Sequence, residues 1–138
     1  MKEIFVDTSA WAAIEDAHDA NHEIALKFKD EIAGKRRLVT SSSVLDETYT
    51  LLLLNIGYTR TVNFKRNIDI MVASGILIVV HTSEAIEKAA WTVFERFNVD
   101  KTWSFTDCTS KVIMEKRKIH EVFAFDHHFE QMGFVRKP

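Results

Sequence analysis

The sequence predicts an α/β domain: a mostly parallel central sheet flanked by helices on both faces. Three observations predict it. The apolar pattern switches repeatedly between short continuous runs, as in buried strands, and the three-to-four spacing of helix faces. Nearly every switch is marked by a residue that caps or stops a helix. Acidic residues stand where strands end or helices begin, the edge at which parallel sheets collect ligands.

The first strand is read at Ile4–Val6, followed by a helix beginning near Ser9. From Ala20 to Ala33 the apolar residues Ile24, Ala25, Phe28 and Ile32 fall on one helical face, and Gly34 supplies a stop. Leu38–Thr40 reads as a second strand. Ser43-Val44-Leu45-Asp46 fits a capping box with Asp in place of Glu, opening a helix that runs through a buried Leu51–Leu54 stretch to Gly57. Thr59 or Thr61 opens the next helix, which reaches Ser74 and breaks at Gly75. The β-branched run Ile76–Val80 is typical of a central parallel strand. Ser83 opens a helix to about Asn98. Ser104-Phe105-Thr106-Asp107 is a second capping box, and its helix ends at Lys116–Lys118, where positive charge suits the helix dipole. Val122–Phe125 is the last clear strand.

Composition sets the limits. A chain of 138 residues with 46% hydrophobic content suits one domain, residues 1–138, burying roughly two thirds of its unfolded surface. One proline and four glycines leave no linker or low-complexity segment. The lone Cys108 has no disulfide partner and reads as a small core residue. No signal peptide or membrane-length apolar run is found, so the expectation is a cytoplasmic protein that does not engage membranes. A net charge of -2 and a pI near 6.3 argue against coating nucleic acid by bulk electrostatics. Any polyanion must meet local patches, for which Lys35-Arg36-Arg37, Arg60–Arg66 and Lys116-Arg117-Lys118 are available.

Four carboxylates carry the chemical argument. Asp7 and Asp126 follow strands, while Glu47 and Asp107 sit near the starts of helices, so all four are expected at one rim. Singly, each has an ordinary structural reading as a turn residue, helix cap or dipole partner. Together they repel one another, and the cluster is costly unless some are protonated or a cation binds. Oxygen donors, without Cys or helically spaced His, favour Mg²⁺ or Mn²⁺ over zinc. The hydroxyls of Thr8, Ser9 and Thr106 are placed either to orient a carboxylate or to cap a helix. His127 and His128 read as a solvated loop pair and stay outside the proposed ligand set. Trp11, Trp91 and Trp103 read as core or dimer contacts in preference to base-stacking platforms.

"FVDTSAW" with Asp7, "SSSVLDET" with Glu47, "SFTDCTS" with Asp107 and "FAFDHHFEQMGF" with Asp126 stand in the order and approximate spacing of one family. Along its whole length the chain resembles the PIN-domain ribonucleases, and within them the small VapC-like toxins of toxin-antitoxin pairs. The resemblance implies a Mg²⁺- or Mn²⁺-dependent endoribonuclease whose metal ligands and catalytic acids are Asp7, Glu47, Asp107 and Asp126. It selects Glu47 over the adjacent Asp46, which the capping-box reading assigns to the backbone. It further implies an RNA substrate, a cognate antitoxin that occupies the acidic groove, and a homodimer, for which Tyr49–Ile56 and Ile68–Val72 offer apolar surface.

A haloacid-dehalogenase-like phosphatase needs a second aspartate where Ser9 stands. A receiver domain needs a lysine after a late strand, where Asp126-His127-His128 stands instead. A catalytically silent PIN-like module that binds RNA or protein would be signalled by a missing acid, and none is missing. A housekeeping RNA-processing nuclease without an antitoxin is the remaining alternative.

Overall fold

The computed structural model describes residues 1–138. Five parallel strands form the sheet: β1 (Lys2–Val6), β2 (Arg36–Ser41), β3 (Leu77–Val80), β4 (Glu121–Phe123) and β5 (Val135–Lys137). Their spatial order is β3-β2-β1-β4-β5. Between them run α1 (Thr8–Glu15), α2 (His22–Ile32), α3 (Ser42–Ile56), α4 (Tyr58–Ala73), α5 (Glu84–Phe97), α6 (Phe105–Arg117) and α7 (His128–Gln131). The predicted fold class is the one observed. No helix is long and apolar enough to cross a membrane.

The chain steps outward from β1 through β2 to β3, then crosses back to β4 on the other side of β1. Right-handed crossovers therefore place α1–α4 on one face of the sheet and α5–α6 on the other. Consecutive residues Ile4, Phe5 and Val6 are 0%, 0% and 1% exposed, as a strand covered on both faces requires. Connections leave β1 and β4 in opposite directions, so the crevice beyond these two strands is the switch point where such sheets bind ligands.

Several local expectations change. Ile76–Val80 is not central: β3 is an edge strand, and only Leu77 in it is fully buried. Leu51–Leu54 is mostly outside the core, with Leu52 buried but Leu53 and Leu54 exposed. On α2, Ile24 faces solvent, while Ala25 and Ile32 are buried. The α3 cap is Ser41, whose hydroxyl accepts from the Val44 amide at 3.1 Å. β2 runs into α3 without a loop, so the first serine of the triplet takes the cap, and Ser43 instead donates to Thr82 at 2.7 Å. Asp46 is consequently exposed and caps nothing. Gly57, at φ 88°, opens α4 in place of Thr59 or Thr61. The second box is half right: Ser104 accepts from the Asp107 amide at 3.0 Å, while the Asp107 carboxylate turns elsewhere.

Trp11, Trp103 and Cys108 are core residues. Burial, with Asp107 nearby, pushes the Cys108 thiol up to about 11, so it stays protonated and inert. Trp91 is exposed and stacks on Phe94 with ring centres 5.1 Å apart. At the amino ends of the strands, acids meet cations of the same chain. Glu121 pairs with Arg36 at 2.8 Å and Lys2 at 3.0 Å, and Glu3 pairs with Arg117 at 2.9 Å. With Lys65 of the third patch paired with Asp69, all three basic patches are partly committed to the protein's own carboxylates.

Candidate metal centre

Asp7 emerges from β1 and caps α1. Its amide bonds to Phe123 O at 3.0 Å, tying the end of β1 to β4. Its Oδ2 accepts from the Ser9 amide at 3.1 Å and from the Ser9 hydroxyl at 2.7 Å. Ser9 Oγ in turn accepts from the Phe125 amide at 3.0 Å, so one hydroxyl couples Asp7 to the loop that carries Asp126. Asp7 therefore caps α1 as the capping reading expects, while its carboxylate stands at the carboxyl end of β1. Thr8 faces away, donating to Val44 O at 3.3 Å.

Asp126 lies one turn beyond β4. Its Oδ1 accepts from the His128 amide at 2.9 Å, an Asx turn that folds the His128 ring back over the acids. There His128 Nδ1 lies 2.9 Å from Asp107 Oδ2 and 3.3 Å from Asp126 Oδ1. Donor atoms of Asp107, Asp126 and His128 all fall within 4.8 Å of one another. His127 is exposed, as expected of a solvated histidine. His128 is half-buried inside the cluster, and the signal for it was the spacing Asp-x-His, which lets an Asx turn return the third side chain to the first.

Glu47 projects from α3 at the outer edge of the same rim. It is exposed, and the Thr106 hydroxyl and the charges of Asp107 and Asp126 act on it. Beside it opens a hollow of about 620 Å³ bounded by Asp46, Glu87, Leu54, Phe105 and Thr106. A separate, mostly apolar cavity of about 400 Å³ lies beneath α2 and α4, with Trp11 and Met71 in its wall. None of the four rim acids lines it.

The electrostatics are one-sided. Burial, offset in part by the Ser9 hydroxyl and reinforced by Asp107 and Asp126, raises Asp7 to about 7. Burial also raises Asp107, helped by Asp126 and opposed by the His128 hydrogen bond. Partial burial and the surrounding acids raise Glu47. No lysine or arginine is among the charges acting on these three groups. Buried carboxylates that repel one another, with only the His128 imidazole to offset Asp107, are costly to ionise. Hard oxygen donors gathered in this way fit a divalent cation, with the Ser9 hydroxyl holding the Asp7 carboxylate in place.

The PIN domain family matches residues 4–135. The 23S rRNA-specific endonuclease VapC20 of Mycobacterium tuberculosis is 38% identical over 133 residues, 96% of this chain and 95% of its own. Its crystal structure, described as a sarcin-ricin loop cleaving toxin, superposes with a TM-score of 0.83 at 34% identity, covering 96% of each chain. A VapC ribonuclease of Archaeoglobus fulgidus is 27% identical over 126 residues, 90% of this chain and 77% of its own. The VapBC2 structure from Rickettsia felis, bound to a DNA fragment from its promoter, shares the fold with a TM-score of 0.66 at 12% identity, over 98% of this chain and 97% of that one. The chain is a member of the PIN-domain family, in its VapC branch.

Proposed function

We propose that the protein is a Mg²⁺- or Mn²⁺-dependent endoribonuclease acting as the toxin of a VapBC-type pair. The observation that carries this reading is the set of mutually repelling carboxylates at the switch point, two of them buried, with no lysine or arginine and only the His128 imidazole beside them. Asp7, Asp107 and Asp126 would hold the ion, with Glu47 ligating from the outer edge. Bound there, a divalent ion would neutralise charge on a reacting phosphodiester and lower the pKa of a ligated water. Ser9 fixes Asp7 against rotation. Glu47, exposed at the mouth with a raised pKa, is placed to accept a proton from a water approaching the phosphodiester.

The relationship to VapC20 favours structured ribosomal RNA, and a sarcin-ricin-type loop in particular, as substrate. An antitoxin segment is a natural occupant of the rim, because the acids that hold a cation also attract arginine and lysine. The exposed apolar residues Leu53, Leu54, Ile70 and Val72 on α3 and α4 support a homodimer. The test is to incubate purified protein with ribosomes and with deproteinised total RNA, then map the new ends. A discrete cut that needs Mg²⁺ or Mn²⁺ and stops in EDTA is expected. Unabated cleavage in EDTA would contradict the metal dependence. Co-expression with the protein from a neighbouring short reading frame should suppress the cut if that protein is the antitoxin.

A further inference from the structure

α7 is a single turn, His128–Gln131, too short to hold its own place by helical hydrogen bonding. Yet it carries the imidazole that reaches both Asp107 and Asp126. Several contacts fix it from outside the site, among them the Arg136–Glu130 ion pair and the Phe134 amide, which donates to Phe129 O at 3.0 Å. Phe129 is fully buried beneath it. At its far end, the Trp103 indole N–H donates to Gln131 Oε1 at 2.8 Å. An indole N–H is a donor only, so the glutamine must present its oxygen.

Trp103 makes a firm anchor. It is 2% exposed, and its ring packs on Phe97 with centres 5.3 Å apart. Its backbone amide donates to Asn98 Oδ1 at 2.8 Å, and its carbonyl accepts from Asn98 Nδ2 at 2.9 Å. An otherwise solvent-facing glutamine, three residues after His128, is thereby tied to an immobile ring between α5 and α6.

We infer that Trp103 and Gln131 are positioning residues: the Asn98–Trp103 clip anchors α7 through Gln131 and so holds the His128 imidazole between the Asp107 and Asp126 carboxylates. This inference rests on the reading of the rim as a divalent-cation site. Outer partners of a metal cluster tune affinity by restricting the groups that touch it, and changing one typically costs about 10- to 100-fold when it contacts a ligand directly. Trp103 and Gln131 stand one contact further out, so a smaller loss is expected.

The experiment is Mn²⁺ titration calorimetry with parallel melting curves on wild type, Gln131→Leu, Gln131→Glu and Trp103→Phe. Leucine removes the acceptor at an exposed position and leaves the core untouched, so this variant remains informative even if Trp103→Phe fails to fold. Glutamate keeps an acceptor oxygen for the indole. Gln131→Leu and Trp103→Phe should bind Mn²⁺ about 3- to 10-fold more weakly, while Gln131→Glu stays within about twofold of wild type. Gln131→Leu that melts lower but binds Mn²⁺ like wild type would reduce the contact to simple satisfaction of a buried indole and overturn the inference. Equal losses in the leucine and glutamate variants would also overturn it. Failure of wild type itself to bind Mn²⁺ would instead strike the cation-site reading, and the inference would fall with it.

Discussion

The two ends of the sheet treat their acids in opposite ways. At the amino ends of the strands, Glu121 lies between Lys2 and Arg36, and the Lys2 hydrogen bond first among these contacts lowers its pKa. At the carboxyl ends, Asp7, Glu47 and Asp107 are all raised, chiefly by burial, and the charges nearest them are mostly negative. An acid paired with a cation of its own chain works for the fold. Acids gathered where no lysine or arginine and only one imidazole meets them destabilise the fold, and such an arrangement makes physical sense when the missing charge is supplied from outside.

The largest contrast should be in activity. Asp7→Asn is expected to lower RNA cleavage by at least about 100-fold, the scale on which loss of a charge-stabilising group acts. Glu121→Gln should leave cleavage within about twofold after correction for the folded fraction. Comparable losses from both, measured on the same labelled RNA, would erase the distinction between the two ends.

Stability should respond to pH in opposite senses. Asp7 holds its proton more tightly folded, near 7, than unfolded, near 3.8. Its contribution is therefore fully present below the unfolded value and is lost as pH rises through about 7. The swing is on the order of a few kcal/mol. In EDTA, Asp7→Asn should melt progressively higher relative to wild type as pH rises from acid to mildly alkaline values. Glu121 is lowered, so its stabilisation is present above its unfolded value and lost on the acid side. A difference curve for Asp7→Asn that stays flat with pH would remove the claim that this carboxyl is costly to ionise.

Glu121→Gln should cost about 1 to 3 kcal/mol in urea titrations, because it leaves the largely buried Arg36 guanidinium without its carboxylate. The smallest effect is expected from Asp46→Asn. Asp46 is exposed and caps nothing, so its stability should stay within about 0.5 kcal/mol of wild type and its turnover should be nearly unchanged. Glu47→Gln, one residue on, should reduce turnover strongly. Equal losses at 46 and 47 would mean that the two side chains share the role assigned to Glu47.

Much of this was legible in the residues. Asp7, Asp107 and Asp126 could be placed because a strand followed by a capped helix fixes which end of the sheet an acid occupies; the structure brings Asp107 and Asp126 together with His128, and Asp7 and Glu47 stand outside that group but near enough for its charges to act on them. His128 was not legible as a neighbour of Asp107, since its position depends on the Asx turn at Asp126 and on α7 being pinned by Phe129 and Gln131. β5 was missed because Val135–Lys137 is short, carries two cations and owes its pairing to β4. The β-branched composition of β3 suggested a central strand, but composition reports side-chain covering, not order in the sheet. Three consecutive serines at 41–43 offered three caps, and only the direct passage of β2 into α3 chooses among them.

If the acids at the carboxyl end of the sheet await a divalent cation, thermal melting of wild type and Asp107→Asn, each in EDTA and in millimolar Mg²⁺, will show it. A ligand bound only by the folded chain raises its stability by mass action. Wild type should therefore melt higher with Mg²⁺. Asp107→Asn should melt no lower than wild type in EDTA, because a repelling charge has gone, and should gain much less from Mg²⁺. A variant that melts lower without metal yet keeps the full wild-type gain would contradict the claim and leave Asp107 as a residue serving only its helix and His128.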